Sequence, residues 1–270
     1  MRALLELIRA PAALSVPGDT MAGAAAAGLP ARPWPALAST LLYWAGMALN
    51  DWSDRHQDAL DRPERPIPSG RISPATALAT AAGCTGAGLL TAFVADGRRG
   101  LGLAGLLAGA VWAYDLGLKR TPSGPAAMAA CRALDVMLGA GGAARAVPTA
   151  LAIGAHTYGI SVLGRAEVKG ATPSTVRGAL ASCATAAALV AWTCPGAPLA
   201  GYVATVARAR AGLRSNPDPE HVRQAVRLSI MALIPLQAAA VAGHGRPAQS
   251  VALLAAAPFG GWLSRMVATS

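Results

Sequence analysis

The segment Trp34-Pro35-Ala36-Leu37-Ala38-Ser39-Thr40-Leu41-Leu42-Tyr43-Trp44-Ala45-Gly46-Met47-Ala48-Leu49-Asn50 carries no charge, and the chain then changes character at once. Asp51-Trp52-Ser53-Asp54-Arg55-His56-Gln57-Asp58-Ala59-Leu60-Asp61-Arg62-Pro63-Glu64 holds five of the 13 acidic residues. An uncharged run of this length is what a helix needs to cross most of a hydrocarbon layer about 30 Å thick. The junction therefore reads as a membrane span delivering an acidic stripe to the headgroup level.

The rest of the chain repeats the first half of that pattern. Hydrophobic residues make up 54%, charged residues 13%, and mean hydropathy is +0.42. Soluble domains carry about 25% charged residues, so this chain cannot cover a water-facing surface. Apolar runs at 11–31, 34–50, 74–95, 100–118, 124–143, 147–163, 175–194, 197–212, 222–243 and 248–268 predict spans. They are continuous and rich in Ala, which favours helix over strand, and in lipid only helices or closed barrels satisfy their backbone. The expected fold is an all-α polytopic bundle of nine or ten spans around a central apolar cavity, forming one domain over 1–270. Gly105 and Gly109 are expected to let helices approach closely.

With the amino terminus inside, sixteen Lys and Arg fall in one set of loops and five in the other, the asymmetry of a cytoplasmic face. The net charge of +10 then reflects topology and attraction to anionic lipid, not nucleic acid. The acid-rich loop is expected on the cytoplasmic side of an inner or plasma membrane. No cleavable signal sequence is evident; Leu4 to Arg9 reads as an interfacial helix. Cys84, Cys131, Cys183 and Cys194 stand singly in apolar runs, with neither zinc nor disulfide spacing.

On a helix Asn50, Asp54 and Asp58 step by four residues and stay within about a quarter turn, with Asp51 and Asp61 close to the same stripe. Stacked carboxylates repel unless a cation lies among them. Hard oxygens of this kind suit Mg²⁺, which often bridges protein carboxylates to phosphate oxygens. The plainer reading is a solvated loop whose acids pair with Arg55, Arg62 and Arg65; the ordered spacing argues against it.

Asn50-Asp51-x-x-Asp54-x-x-x-Asp58 resembles the NDxxDxxxD motif of the UbiA family of intramembrane prenyltransferases, and Arg65-Pro66-Ile67-Pro68-Ser69-Gly70-Arg71-Ile72-Ser73 resembles the segment that trails it. Tyr114 to Arg120 and Glu220 to Gln237 extend the likeness. Lys119-Arg120-Thr121-Pro122-x-Gly124-Pro125 and Cys131-Arg132-x-Leu134-Asp135 are most similar to the EboC-like branch. The resemblance implies transfer of an isoprenoid from a prenyl diphosphate to a small acceptor or lipid precursor, with Mg²⁺ neutralising the leaving diphosphate. It implies Asn50, Asp51, Asp54 and Asp58 as metal ligands, with Asp54, Asp58 and Lys119 as catalytic groups. Arg65, Lys119 and Arg120 become cations for the diphosphate.

The family's second acidic motif is largely missing. Its place reads Gly164-Arg165-Ala166-Glu167-Val168-Lys169-Gly170, leaving Glu167 as the lone carboxylate and metal candidate. Either the second ion is lost and Arg165 with Lys169 takes part of the diphosphate charge, or the chemistry is altered. The tyrosine-to-lysine spacing is one residue longer than the family's, which leaves Asp115 four before Lys119. There is also one more apolar run than the family's usual nine.

Weaker signals remain. Gly100-x-Gly102-x-x-Gly105 matches a dinucleotide fingerprint but opens an apolar helical run, without the strand such a motif needs. Arg132 and Asp135 lie one turn apart at membrane depth, where a structural ion pair and a substrate-facing role stay equally open. With Tyr114 and His156 they are the candidates for contact with the acceptor in the cavity; for His156 and for Asp19, plain packing is the more usual role. The sequence thus points to a Mg²⁺-dependent prenyltransferase acting on a prenyl diphosphate and an unknown acceptor among membrane lipids. Two alternatives stand beside it: a non-catalytic lipid-binding or transport-assisting protein, and a terpene cyclase.

Overall fold

The structure is a computed structural model that describes residues 2–9, 16–193, 196–213 and 218–256. Among these there is no strand. The elements are α1 (Arg2–Leu7), α2 (Pro17–Ala26), α3 (Pro33–Asp61), α4 (Pro74–Leu116), α5 (Gly124–Gly139), α6 (Val147–Gly164), α7 (Pro173–Ala191), α8 (Ala197–Gly212), α9 (Pro219–Gly243) and α10 (Pro247–Ala256). Proline opens α2, α3, α4, α7 and α9, where its missing N–H costs no hydrogen bond. Ser73, Thr172 and Asp218 accept from the backbone N–H three residues on, the N-cap arrangement.

α4 has 43 residues, about 65 Å if straight and about twice the thickness of a bilayer core. It does not run straight. Asp96 leaves helical geometry and Gly97 takes φ 60, ψ −144, a region closed to residues with a side chain. The chain doubles back there, so that Trp112 Nε1 donates to Thr85 Oγ1 at 3.1 Å across 27 residues. Two runs expected as separate spans, 74–95 and 100–118, are thus the legs of one hairpin. Its apex is tied to the start of α3 by Arg32, which donates to both Asp96 oxygens at 2.8 Å.

Small residues set the inner spacing, though not all those expected. α2 crosses α5 with Gly23 against the Val136 carbonyl and Gly139 against Thr20, positions where any Cβ would collide. Gly105 and Gly109 instead face open space, because α4 turns that side away from its neighbours. Gly102 also faces out, and Gly100 presses on the Ala92 carbonyl, so the dinucleotide-like run is ordinary helix. The largest core gathers Val136, Ile153, Tyr202, Leu236 and Val241 from α5, α6, α8 and α9. Leu90, Val94, Leu106 and Trp192 point outward, as a lipid-facing surface requires.

Four helical segments are long and apolar enough to cross a membrane by length and composition: Pro74–Leu116, Ala144–Gly164, Pro173–Ala191 and Pro219–Gly243. α3 combines an apolar first half with the acidic stripe. Of the expected spans, residues 11–15, 194 and 257–268 lie outside the described residues, and with them Cys194 and most of the last span.

Candidate functional site

The acidic stripe stays helical to Asp61, so α3 holds Asn50, Ser53, Asp54 and Asp58 at fixed pitch on a rigid rod. The turn after α4 then brings cations to it. Lys119 Nζ donates to Asn50 Oδ1 at 3.1 Å, Ser53 Oγ at 2.6 Å and Asp54 Oδ2 at 2.8 Å, with Asp115 Oδ1 at 3.8 Å. Arg120 Nη2 reaches the other Asp54 oxygen at 3.1 Å and the Ser53 carbonyl at 3.1 Å. Three hard oxygens thus converge on one cation position.

A second cation layer lies beside it. Arg65 Nη1 donates to Asp58 Oδ2 at 2.6 Å and Asp51 Oδ1 at 3.3 Å. Arg9 Nη2 meets the same Asp51 oxygen at 3.2 Å. Asp51 and Asp58 are buried, at 5% and 6% exposure, so these pairs are screened less than surface ones. Arg55 packs on Trp52 and donates to its carbonyl, while Asp61 turns outward to Gln57. The arginine pairing expected by the solvated-loop reading thus holds for Arg65 and fails for Arg55, and Asp61 leaves the stripe.

Below Asn50 opens a cavity of about 260 Å³ lined by Leu42, Met47, Leu107, Val111, Met128 and other largely apolar groups, with Arg9, Tyr114 and Asp115 along its wall. At its inner end stand Ser39, Arg132 and Asp135. Arg132 Nε is 2.8 Å from Asp19 Oδ2, and Gln237 Nε2 donates to Asp19 Oδ1 at 2.6 Å. Asp135 Oδ1 and Arg132 Nη2 have no hydrogen-bond partner although both are buried, a state that costs about 1–3 kcal/mol per group. Arg132 is thus ion-paired with Asp19, and both Arg132 and Asp135 line the inner end of the cavity.

On the other side of Tyr114 a second cavity of about 310 Å³ is lined by Lys119, Gly124, Ser161, Gly164 and Arg165. Arg165 Nη2 donates to the Lys119 carbonyl at 2.9 Å and to the Thr121 carbonyl, which fixes its charge at the N-terminus of α5. Glu167 is half-buried and does not line this space, and Lys169 is exposed. Among the described residues no group of three His, Cys, Asp or Glu side chains could hold a metal ion. The turn after α6 thus presents Arg165, not Glu167, to this cavity.

His156 also lies apart. It is fully buried, with Nδ1 3.0 Å from the Tyr202 hydroxyl and Nε2 3.0 Å from the Ser229 carbonyl. Both ring nitrogens are engaged by packing between α6, α8 and α9, so it lines neither of these cavities. Two site residues escaped sequence reasoning. Ser53 looked like a spacer, although its place three after Asn50 puts it on the same face. Arg9 lay outside the motifs, and only the fold carries it to Asp51.

The donor set fits a hard cation. Asn50 Oδ1, Ser53 Oγ and Asp54 Oδ2 already surround a positive charge supplied by the chain, and Mg²⁺ bound to substrate phosphates needs only one or two protein carboxylates.

Comparison with known proteins converges on one family. Residues 19–269 match the UbiA prenyltransferase family. A digeranylgeranylglyceryl phosphate synthase of Methanopyrus kandleri is 40% identical over 126 residues, 45% of this chain and 46% of that one. The aligned stretch thus spans about half the length of that relative. An apo UbiA homolog from Aeropyrum pernix K1 superposes with a TM-score of 0.68 at 20% identity, covering 86% of this chain and 97% of the other. A UbiA homolog from Archaeoglobus fulgidus bound to DMAPP and Mg²⁺ superposes with a TM-score of 0.61 at 15% identity, covering 88% and 99%.

Proposed function

The chain belongs to the UbiA prenyltransferase family, and from that premise we propose that it is a Mg²⁺-dependent prenyltransferase of the membrane interior. The observation that carries the reading is the position of the Lys119–Asn50–Asp54 cluster at the mouth of an apolar cavity. Asn50 and Asp54 would hold the ion, with Asp51 and Asp58 kept in place behind them by Arg65 and Arg9. When bound, Mg²⁺ neutralises the diphosphate and makes it a better leaving group. The structural neighbour with DMAPP and Mg²⁺ supports both ligands.

The chain's own residues supply the remaining charge. Lys119 and Arg165 line the second cavity, Arg120 pairs with Asp54 beside them, and Lys169 adds positive field at the exposed turn. Arg165 takes the part of a second ion, so one Mg²⁺ suffices and Glu167 is not a ligand. The carbon–oxygen bond to diphosphate breaks, the isoprenoid carbon bonds to the acceptor, and diphosphate departs toward these cations. Asp115, buried beside Tyr114 on the cavity wall, is placed to take the acceptor's proton. The apolar walls keep water from the allylic cation. The relative's name supports a phosphorylated lipid precursor as acceptor. The acidic stripe faces the cytoplasm by the distribution of Lys and Arg.

Incubating membranes that contain the protein with labelled prenyl diphosphates and Mg²⁺, then extracting lipids, tests the reading. A labelled lipid and released pyrophosphate support it. Binding without pyrophosphate release favours the non-catalytic alternative, for which the lone Glu167 speaks. A cyclic hydrocarbon formed without acceptor favours a cyclase.

A further inference from the structure

Three of the four segments long and apolar enough to cross a membrane meet at the end of the molecule opposite the acidic stripe. α6 begins there, whereas α7 and α9 end there. The far end of α6 leads into Arg165, which reaches the Lys119 carbonyl, so the 18 residues of α6 separate the two faces. That is about 27 Å by helical rise. Among these helix ends lies a cavity of about 470 Å³, lined in part by Arg145, Thr149, Leu189, Trp192 and His244. Its size is that of a ligand pocket, roughly 300–1,000 Å³. It shares no lining residue with the two cavities beside Tyr114.

The polar groups of this cavity lack partners. Lys and Arg are scarce in the loops of this face, five against sixteen, yet Arg145 makes no hydrogen bond or ion pair among the described residues. Thr149 is only 6% exposed and lines the cavity, and its hydroxyl has no hydrogen-bond partner among the described residues either. That oxygen is not sealed inside the protein, so a ligand entering the cavity can meet it. His244 Nδ1 is 2.8 Å from the Ala240 carbonyl. A carbonyl only accepts, so Nδ1 carries a hydrogen and Nε2 is left for a ligand. α6 starts at the cavity without a side-chain cap on its first turn, and a helix N-terminus favours negative charge. No Asp or Glu among the described residues lines the space.

A phosphate group suits these donors, and the surroundings decide its source. Trp192 is 93% exposed, and Val147 and Leu151 on the first turns of α6 also point outward. An exposed tryptophan at the end of an apolar helix marks a membrane interface. A free anion gains nothing from such neighbours, whereas an acyl chain does. We propose that this cavity holds the phosphate of an anionic glycerophospholipid from the leaflet opposite the acidic stripe. Arg145 and Thr149 donate to phosphate oxygens, and an acyl chain lies along Leu189 and Trp192.

The test is binding of dioctanoylphosphatidylglycerol to the full chain in an uncharged detergent, read by thermal unfolding and by mass spectrometry of the intact complex. Dioctanoylphosphatidylcholine supplies the same chains without net charge, and inorganic phosphate supplies the anion without chains. The anionic lipid is expected to bind at least about tenfold more tightly than either. Arg145→Ala should lower that affinity at least about tenfold, the loss of a charge-assisted hydrogen bond. Thr149→Val keeps the shape of the side chain and should lower it about two- to tenfold; it gives the readout if Arg145→Ala fails to fold. Arg98→Ala removes an exposed arginine that does not line the cavity and should change nothing. Equal affinity for the two lipids, equally tight binding of inorganic phosphate, or an equal loss in Arg98→Ala overturns the assignment. Arg145 and Thr149 variants that bind the lipid as wild type does overturn it as well.

Discussion

Lys119 Nζ lies 2.8 Å from Asp54 Oδ2, joining residues 65 apart in the chain. The same ammonium also touches Asn50 and Ser53, so the lysine occupies the position that a metal ion would take among these oxygens. A divalent cation held by these oxygens, as proposed, would compete with Lys119 for them. Lys119→Met should raise the affinity for Mn²⁺ measured by electron paramagnetic resonance without diphosphate. It should also lower prenyl transfer about 10²–10³-fold, the range for loss of one preorganised charge-stabilising donor. Unchanged metal affinity would disprove the competition.

Asp54 and Asp58 should separate when substituted. Asp54 is a quarter exposed and shares cations with solvent, whereas Asp58 is buried against Arg65. Both alanine variants should lose turnover with insertion intact. Asp58→Ala should also lower the melting temperature more than Asp54→Ala does, since removing one partner of a buried pair leaves a charge uncompensated. Equal melting temperatures would show that the Arg65 pair contributes no stability, and full activity in both would end the catalytic reading.

The inner end of the cavity predicts unequal stability effects from adjacent carboxylates. Asp19→Ala removes the partner of a buried arginine and should cost about 3–5 kcal/mol. Asp135→Leu removes a carboxyl whose Oδ1 has no hydrogen-bond partner and should cost less than Asp19→Ala. Thermal unfolding in one detergent compares them, and a larger loss for Asp135→Leu would refute the pairing described.

Chelation should stop transfer completely, and one Mn²⁺ per chain should bind in the presence of a prenyl diphosphate. The turn after α6 offers Arg165 where a second ligand set would be needed. Arg165→Ala should therefore weaken diphosphate binding at least about tenfold, the loss of a charge-assisted hydrogen bond. A stoichiometry of two would contradict the single-ion site.

At the start of α9 the His221 backbone N–H donates to Asp218 Oδ1 at 2.9 Å. That bond, helped by the His221 side chain, holds the Asp218 carboxyl below its ordinary range. A lowered folded-state pKa means that the cap is at full strength above the unfolded value of about 3.9 and is lost as pH falls through the folded one. Amide exchange in the first turn of α9, corrected for its intrinsic pH dependence, should lose protection below about pH 4. In Asp218→Ala the protection should already be low at neutral pH.

Much of this architecture is legible in the chain. The runs at 124–143, 147–163, 197–212 and 222–243 became α5, α6, α8 and α9 within a few residues at each end, because proline starts and uninterrupted apolar sequence act locally. The break between 95 and 100 was visible from Asp96 to Gly100. The acidic stripe was visible from a spacing of four. Gly105 and Gly109 misled because a small residue permits close approach without choosing which side of a helix faces a neighbour. His156 is the hydrogen-bonded packing residue that a lone histidine in an apolar run more often is, though the run carries no record of the Tyr202 hydroxyl that engages it.

Helical pitch and apolar content act over a few residues, so the order of helices, the break in α4 and the face that bears Asn50, Asp54 and Asp58 could be worked out from neighbouring letters. The partners of those groups could not. Lys119 reaching Asp54, Arg9 reaching Asp51 and Arg165 facing the cavity in place of Glu167 depend on how helices distant in the chain rotate and cross. That is decided by close contacts such as Gly23 on Val136, and the placing of Asp135 on the cavity wall is decided with it.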